Sequence, residues 1–137
     1  MEINLNGKKP DITRKVREID EVLLDKVWAR DNKELDVYYV WRGLKEKGGL
    51  RYDITIIPPN MLGSEFPKTK GNRNSEGFTE LFTVLRGKAL FLLQEMKNKK
   101  ITEIKAVESK EGDWVKIPSN YIVITINPSE ETLELAN

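Results

Sequence analysis

The sequence predicts an all-β fold, a sandwich or barrel with one short helix ahead of it. Three observations carry this expectation. Short stretches of strand character recur through most of the chain, turn formers separate them, and no helical period intervenes beyond Asn32.

Taken in order, residues 1–12 are polar and hold Gly7 and Pro10, which marks an N-terminal arm, and residues 13–137 read as a single domain. From Thr13 onward, Val16, Ile19, Leu23 and Val27 recur at steps of three or four with charged residues between them. This predicts an amphipathic helix ending near Asn32, whose first turn or two can instead be extended. The period then changes, and strands are expected over 35–42, 50–57, 78–85, 89–95, 101–107, 113–117, 121–126 and 132–135. Gly48-Gly49, Pro58-Pro59-Asn60, Gly63, Gly87, Gly112 and Asn127-Pro128 supply the turns. Residues 58–77 form a long stretch rich in Gly, Pro, Lys and Asn, and a loop of that length inside a compact domain tends to be functional.

Composition removes several function classes. The 137 residues suffice for a core without staples, and 23 basic against 22 acidic residues leave a net charge of +1, so no global field draws in nucleic acid or an anionic membrane. With no cysteine there is neither a disulfide frame nor a thiolate nucleophile. The first residues are too polar for a signal peptide and no apolar run of about 18 residues exists, so a soluble cytoplasmic protein is expected.

Two spacings are more specific. Gly71-Asn72-Arg73-Asn74 is followed after five residues by Glu80 and after six more by Gly87; Gly112 is followed after five residues by Pro118, then by Val123 and Asn127. These spacings resemble the two cupin motifs, with Asn72, Asn74 and Val123 standing where the motifs carry histidine, a residue this chain lacks entirely. The surrounding sequence, Tyr52-Asp53-Ile54-Thr55-Ile56-Ile57-Pro58-Pro59, Thr69-Lys70-Gly71 and the run from Glu80 to Gln94, is similar to the archaeal cupin-type glucose-6-phosphate isomerases, from about Asp36 to Asn127. The resemblance implies an RmlC-like cupin jelly-roll barrel, usually a homodimer, that interconverts glucose 6-phosphate and fructose 6-phosphate on a metal held by three histidines and one glutamate. It carries that glutamate to Glu80 and the sugar-phosphate contacts to Tyr38, Thr55, Thr69 and Gly71. It also departs from the family at Phe82, where a tyrosine is usual.

The residues have their own chemistry. Strand parity puts Glu80, Phe82 and Val84 on one face and Tyr121, Val123 and Thr125 on another, and if Asn72 and Asn74 point into the barrel it turns Arg73 away from it. Carboxamide oxygens are weak ligands for transition metals and valine is none, so no metal and no cofactor are expected; a weak calcium or magnesium site lacks sufficient oxygens. Glu80 is a candidate base for aldose-ketose isomerisation, with Asn72 and Asn74 as candidate donors to an oxyanion. The plainer reading makes Glu80 a satisfied polar group bonded to Asn72 or Asn74. Lys70, with Lys68 and nearby backbone N–H groups, offers positive charge to a phosphate. Outward-facing Ile122, Ile124 and Ile126 need cover, which predicts a homodimer. Three functions stay open: a metal-free sugar-phosphate binding module, an active isomerase working through Glu80, and a structural or interaction barrel.

Overall fold

The polypeptide is described by a computed structural model covering Leu5 and residues 7–47, 50–73 and 78–137, with backbone alone at 45–47, 50–51 and 72–73. Among these residues the chain runs β1 (Ile12–Lys15), α1 (Val16–Ile19), a 3-10 turn (Asp20–Val22), α2 (Lys26–Asp31), β2 (Asp36–Lys47), β3 (Leu50–Ile57), β4 (Asn72–Arg73), β5 (Glu80–Arg86), β6 (Lys88–Lys97), β7 (Lys100–Lys110), β8 (Trp114–Ile117), β9 (Tyr121–Ile126) and β10 (Leu133–Ala136). The strands form a six-stranded sheet, β1-β2-β3-β10-β5-β8, and a four-stranded sheet, β4-β9-β6-β7. Every pairing is antiparallel and neighbours in space are often distant in sequence, the crossing pattern of a jelly roll.

The eight expected strands all form, within a few residues of their predicted ends except that β2 continues to Lys47. Two further short strands form: β1, where the extended alternative for the first turn holds, and β4 within the long loop, which was not expected. The single helix expected from Thr13 to near Asn32 is corrected. Thr13 lies in β1, and the helical stretch is broken around Leu23–Asp25. Two caps explain the break. Glu18 takes the Lys15 backbone N–H at 2.8 Å and starts α1, and Asp25 takes the Trp28 N–H at 2.9 Å and starts α2 in a new phase. Val16, Ile19 and Leu23 are therefore buried as the period required, whereas Val27 is 59% exposed and Ala29 enters the core in its place.

The two sheets face each other across one core. Val37, Ile57, Phe82, Val84 and Leu135 from the larger sheet meet Ala89, Phe91, Leu93 and Val123 from the smaller. Phe82 packs on Phe91 with ring centroids 5.2 Å apart. Gly87 joins β5 to β6 at φ +82, and a Cβ there would stand 2.7 Å from the Thr132 carbonyl oxygen, so the glycine of the first spacing is a steric requirement of the turn. Asn127, fully buried, closes the second spacing: its Nδ2 donates to the carbonyls of Ile57 and Glu131, and its Oδ1 accepts from the Ser129 N–H. The outer face of the larger sheet buries Trp41, Ile54 and Ala136, with Leu5 of the N-terminal arm packed against them and the Trp41 indole donating to the Lys8 carbonyl at 2.8 Å.

Candidate functional site

The long loop becomes an irregular edge of the smaller sheet. Asn127 N–H donates to the Pro67 carbonyl, Lys68 bridges Ile126, Thr69 N–H donates to the Thr125 carbonyl, and Asn72 then pairs with Val123. Three steps from Thr69 to Asn72 oppose two from Thr125 to Val123, so one residue is extra and the strand bulges at Lys70–Gly71. Gly71 absorbs the bulge at φ +110, and its Cα approaches β9 so closely that a Cβ would lie 3.3 Å from Cγ1 of Ile124. The bulge frees the Lys70 N–H from β9, and it donates to the Tyr38 hydroxyl at 3.5 Å.

Tyr38, Thr69, Lys70 and Gly71 are thus brought together. Thr69 is buried and its Oγ1 accepts the Thr125 N–H at 3.0 Å, so it locks the strap to β9 from both main chain and side chain. Thr55 is buried on β3 opposite Val40 and Leu135, with the parity of the core-facing Ile57. The charge expected beside a phosphate is largely spoken for. Lys68 Nζ lies 2.7 Å from both the Val22 carbonyl and Glu65 Oε1, and Lys70 Nζ pairs with Glu21 at 2.5 Å. That contact, a hydrogen bond first and charge attraction second, lowers the pKa of Glu21.

These ties show what the helical segment does. Glu65 also accepts the Leu24 N–H at 2.7 Å, and Gly63 seats against Asp25 and Trp28. The 3-10 turn and α2 therefore brace the strap from behind, a relation no local spacing announced.

Glu80 opens β5 with the parity of Phe82 and Val84, hence facing the space between the sheets. Its Oε1 accepts from Nδ2 of Asn137, a partner the sequence had not suggested. The Asn72 side chain and all of Asn74 lie outside the described residues, while Val123 is 2% exposed within the core. The register aligns Asn72, Val123, Leu93 and Lys105 in one row across the smaller sheet. A metal of the kind the resemblance implies does not fit this set. Val123 has no donor atom and Asn72 only a neutral amide, and among the described residues no three His, Cys, Asp or Glu side chains cluster to hold an ion.

The next row, Tyr121, Glu95 and Glu103, was not singled out from the sequence. The Tyr121 hydroxyl donates to Glu103 at 3.2 Å, and Glu95 accepts from the Thr102 hydroxyl at 2.8 Å and from Asn120 at 3.1 Å. The Thr102 bond is the main reason the Glu95 pKa is lowered; burial is the main reason that of Tyr121 is raised. A signal existed: Glu95 continues the inward parity of Phe91 and Leu93, and a carboxylate on the core side of a strand end requires a partner.

With this geometry in view, the comparisons are specific. The family model for glucose-6-phosphate isomerase matches residues 13–137. The chain is 29% identical over 132 residues to a glucose-6-phosphate isomerase of Thermococcus litoralis, covering 92% of this chain and 66% of that one. It is 30% identical over 126 residues to the enzyme of Pyrococcus abyssi, covering 88% and 65%. It thus spans a little under two thirds of these relatives' length. Among solved structures, the Drosophila melanogaster CENP-C cupin domain superposes with a TM-score of 0.51 at 10% identity, covering 71% of this chain and 72% of that one. A cupin superfamily protein of Desulfitobacterium hafniense gives 0.51 at 8%, covering 72% of each. Those likenesses establish the cupin fold, and the match over 13–137 settles the lineage: the chain belongs to the glucose-6-phosphate isomerase family.

Proposed function

We propose that the protein binds a phosphorylated sugar in the space between its sheets without a transition-metal centre. The observation that carries this reading is the bulged strap, in which Gly71 turns the Lys70 N–H onto the Tyr38 hydroxyl while Thr69 clamps the strap to β9. Of the residues that the resemblance matches to sugar-phosphate contacts, Tyr38, Thr69 and Gly71 lie on or against this strap, which supports the reading, whereas Val123 stands in the core where a metal histidine is implied. The hydroxyls of Tyr38 and Thr69, which act as acceptors within the strap and keep their own protons to donate, are the phosphate donors in this reading, because Lys68 and Lys70 already meet carboxylates. Fructose 6-phosphate added to the purified chain is expected to raise the melting temperature and quench tryptophan fluorescence; no response to millimolar ligand would sink the reading.

A second reading is favoured by the placement of Glu80. An inward carboxylate held by a neutral carboxamide is suited to take the proton from the carbon beside a sugar carbonyl and return it to the neighbouring carbon, the chemistry of aldose-ketose isomerisation. Lacking a Lewis acid, such an enzyme relies on hydrogen-bond donors for the enediolate oxygen and is expected to be slow. A coupled assay separates the readings: turnover that survives chelator supports this one, and turnover that disappears with chelator contradicts the metal-free site. The same proposal takes the protein to be a cytoplasmic homodimer. Among the described residues no helix is long and apolar enough to cross a membrane, which says nothing of strands.

A further inference from the structure

We infer that Asn137 is a positioning residue for Glu80, setting the carboxylate for the sugar end of the ligand. The inference rests on the sugar-phosphate reading. In β10 the core-facing residues are Leu133 and Leu135, so Asn137 continues the inward parity one step beyond the strand, on the same side as Glu80 of β5. Its backbone is held from the other flank: the Asn137 N–H donates to the Asp53 carbonyl at 3.0 Å and the Asp53 N–H to the Asn137 carbonyl at 2.7 Å. Asp53 is itself fixed, its Oδ1 accepting the Gly43 N–H at 2.8 Å. The carboxamide is therefore carried on a backbone paired in register with β3, and from there Nδ2 donates to Glu80 Oε1.

A carboxylate rotates about its last bond unless something holds one oxygen. A lysine or arginine would hold it and also neutralise it. A carboxamide holds it without adding a charge of its own, so what Asn137 contributes is the orientation of the Glu80 carboxylate. Asn137 also brings its own oxygen to the same wall. The phosphate end is handled elsewhere, by the strap of Tyr38, Thr69 and Gly71. Sugar and phosphate contacts thus belong to different elements, and a change at Asn137 acts on one of them alone.

The test is calorimetric titration of the full chain with fructose 6-phosphate and, separately, with inorganic phosphate. Asn137→Ala is expected to weaken fructose 6-phosphate about tenfold, as loss of one charge-assisted contact does, and to leave inorganic phosphate unchanged. Asn137→Asp, which sets a second negative charge against Glu80, is expected to weaken the sugar phosphate further, and Asn137→Gln to recover part of the loss. Should the alanine variant fail to fold, the aspartate and glutamine variants carry the comparison. Equal weakening of both ligands, or no change in either, overturns the positioning role. Wild-type protein that binds neither ligand overturns the sugar-phosphate reading, and this inference falls with it.

Discussion

Gly71 is the residue on which the candidate site turns. At φ +110 an L side chain is strained, and a Cβ 3.3 Å from Ile124 leaves no easy relief. Gly71→Ala is expected to cost about 1–2 kcal/mol of stability and to move the strap away from Tyr38. Differential scanning calorimetry should show a melting point lower by about 5 °C, with a parallel loss of fructose 6-phosphate affinity. An unchanged melting point would mean that the bulge does not need glycine. Asn127 teaches the same lesson, since the asparagine that ends the second spacing serves the turn before β10 and not a ligand. A motif position can be kept for backbone geometry alone. Lys68 and Lys70 show a different case, where residue type suggested charge for a phosphate and the fold also brings Glu65 and Glu21 against them.

At the scale of elements, the pairing of β4 with β9 sets two of the positions that the resemblance matches to metal histidines opposite each other. Asn72 pairs with Val123, and directly opposed residues in an antiparallel pair hold their Cβ atoms about 5 Å apart, within reach of one ion for two imidazoles. Asn72→His, Asn74→His and Val123→His combined are expected to create a chain that is less stable than wild type without metal, because Val123 leaves a packed core. Added zinc or nickel should then raise its melting point by several degrees through preferential binding to the folded state. A triple variant indifferent to metal would refute the register. The strands were legible because alternation and turn residues are local signals; the broken helix was not, because two capping side chains, Glu18 and Asp25, outweighed a continuous apolar period. The bracing of the strap by α2 was equally hidden, since Glu65 and Leu24 are far apart in sequence and nothing in either neighbourhood names the other.

For the molecule as a whole, the outer face of the smaller sheet carries Leu90, Leu92, Ile122, Ile124 and Ile126, all only partly buried, beside Phe66 at 46% exposure. We propose a second copy of this chain as the cover for such a face. Light scattering is expected to give twice the 15.8 kDa chain mass, and Ile124→Lys to halve it; a monomeric mass at working concentration excludes the dimer. By itself the sequence determined the all-β class and the positions of the longer strands, and it supplied the motif spacing that sets Asn72, Asn74 and Val123 where the resemblance implies histidine. Alternation, turn chemistry and motif spacing are properties of neighbouring residues. Only the tertiary structure decided which groups meet: the Lys70 N–H with Tyr38, Glu80 with Asn137, and Glu103 with Tyr121. Each pair joins strands or loops remote along the chain, and which of them become neighbours depends on how the sheets cross and on a one-residue bulge. The absence of histidine is thus visible in the composition, while which groups meet around Val123 and Glu80 is a matter of the fold.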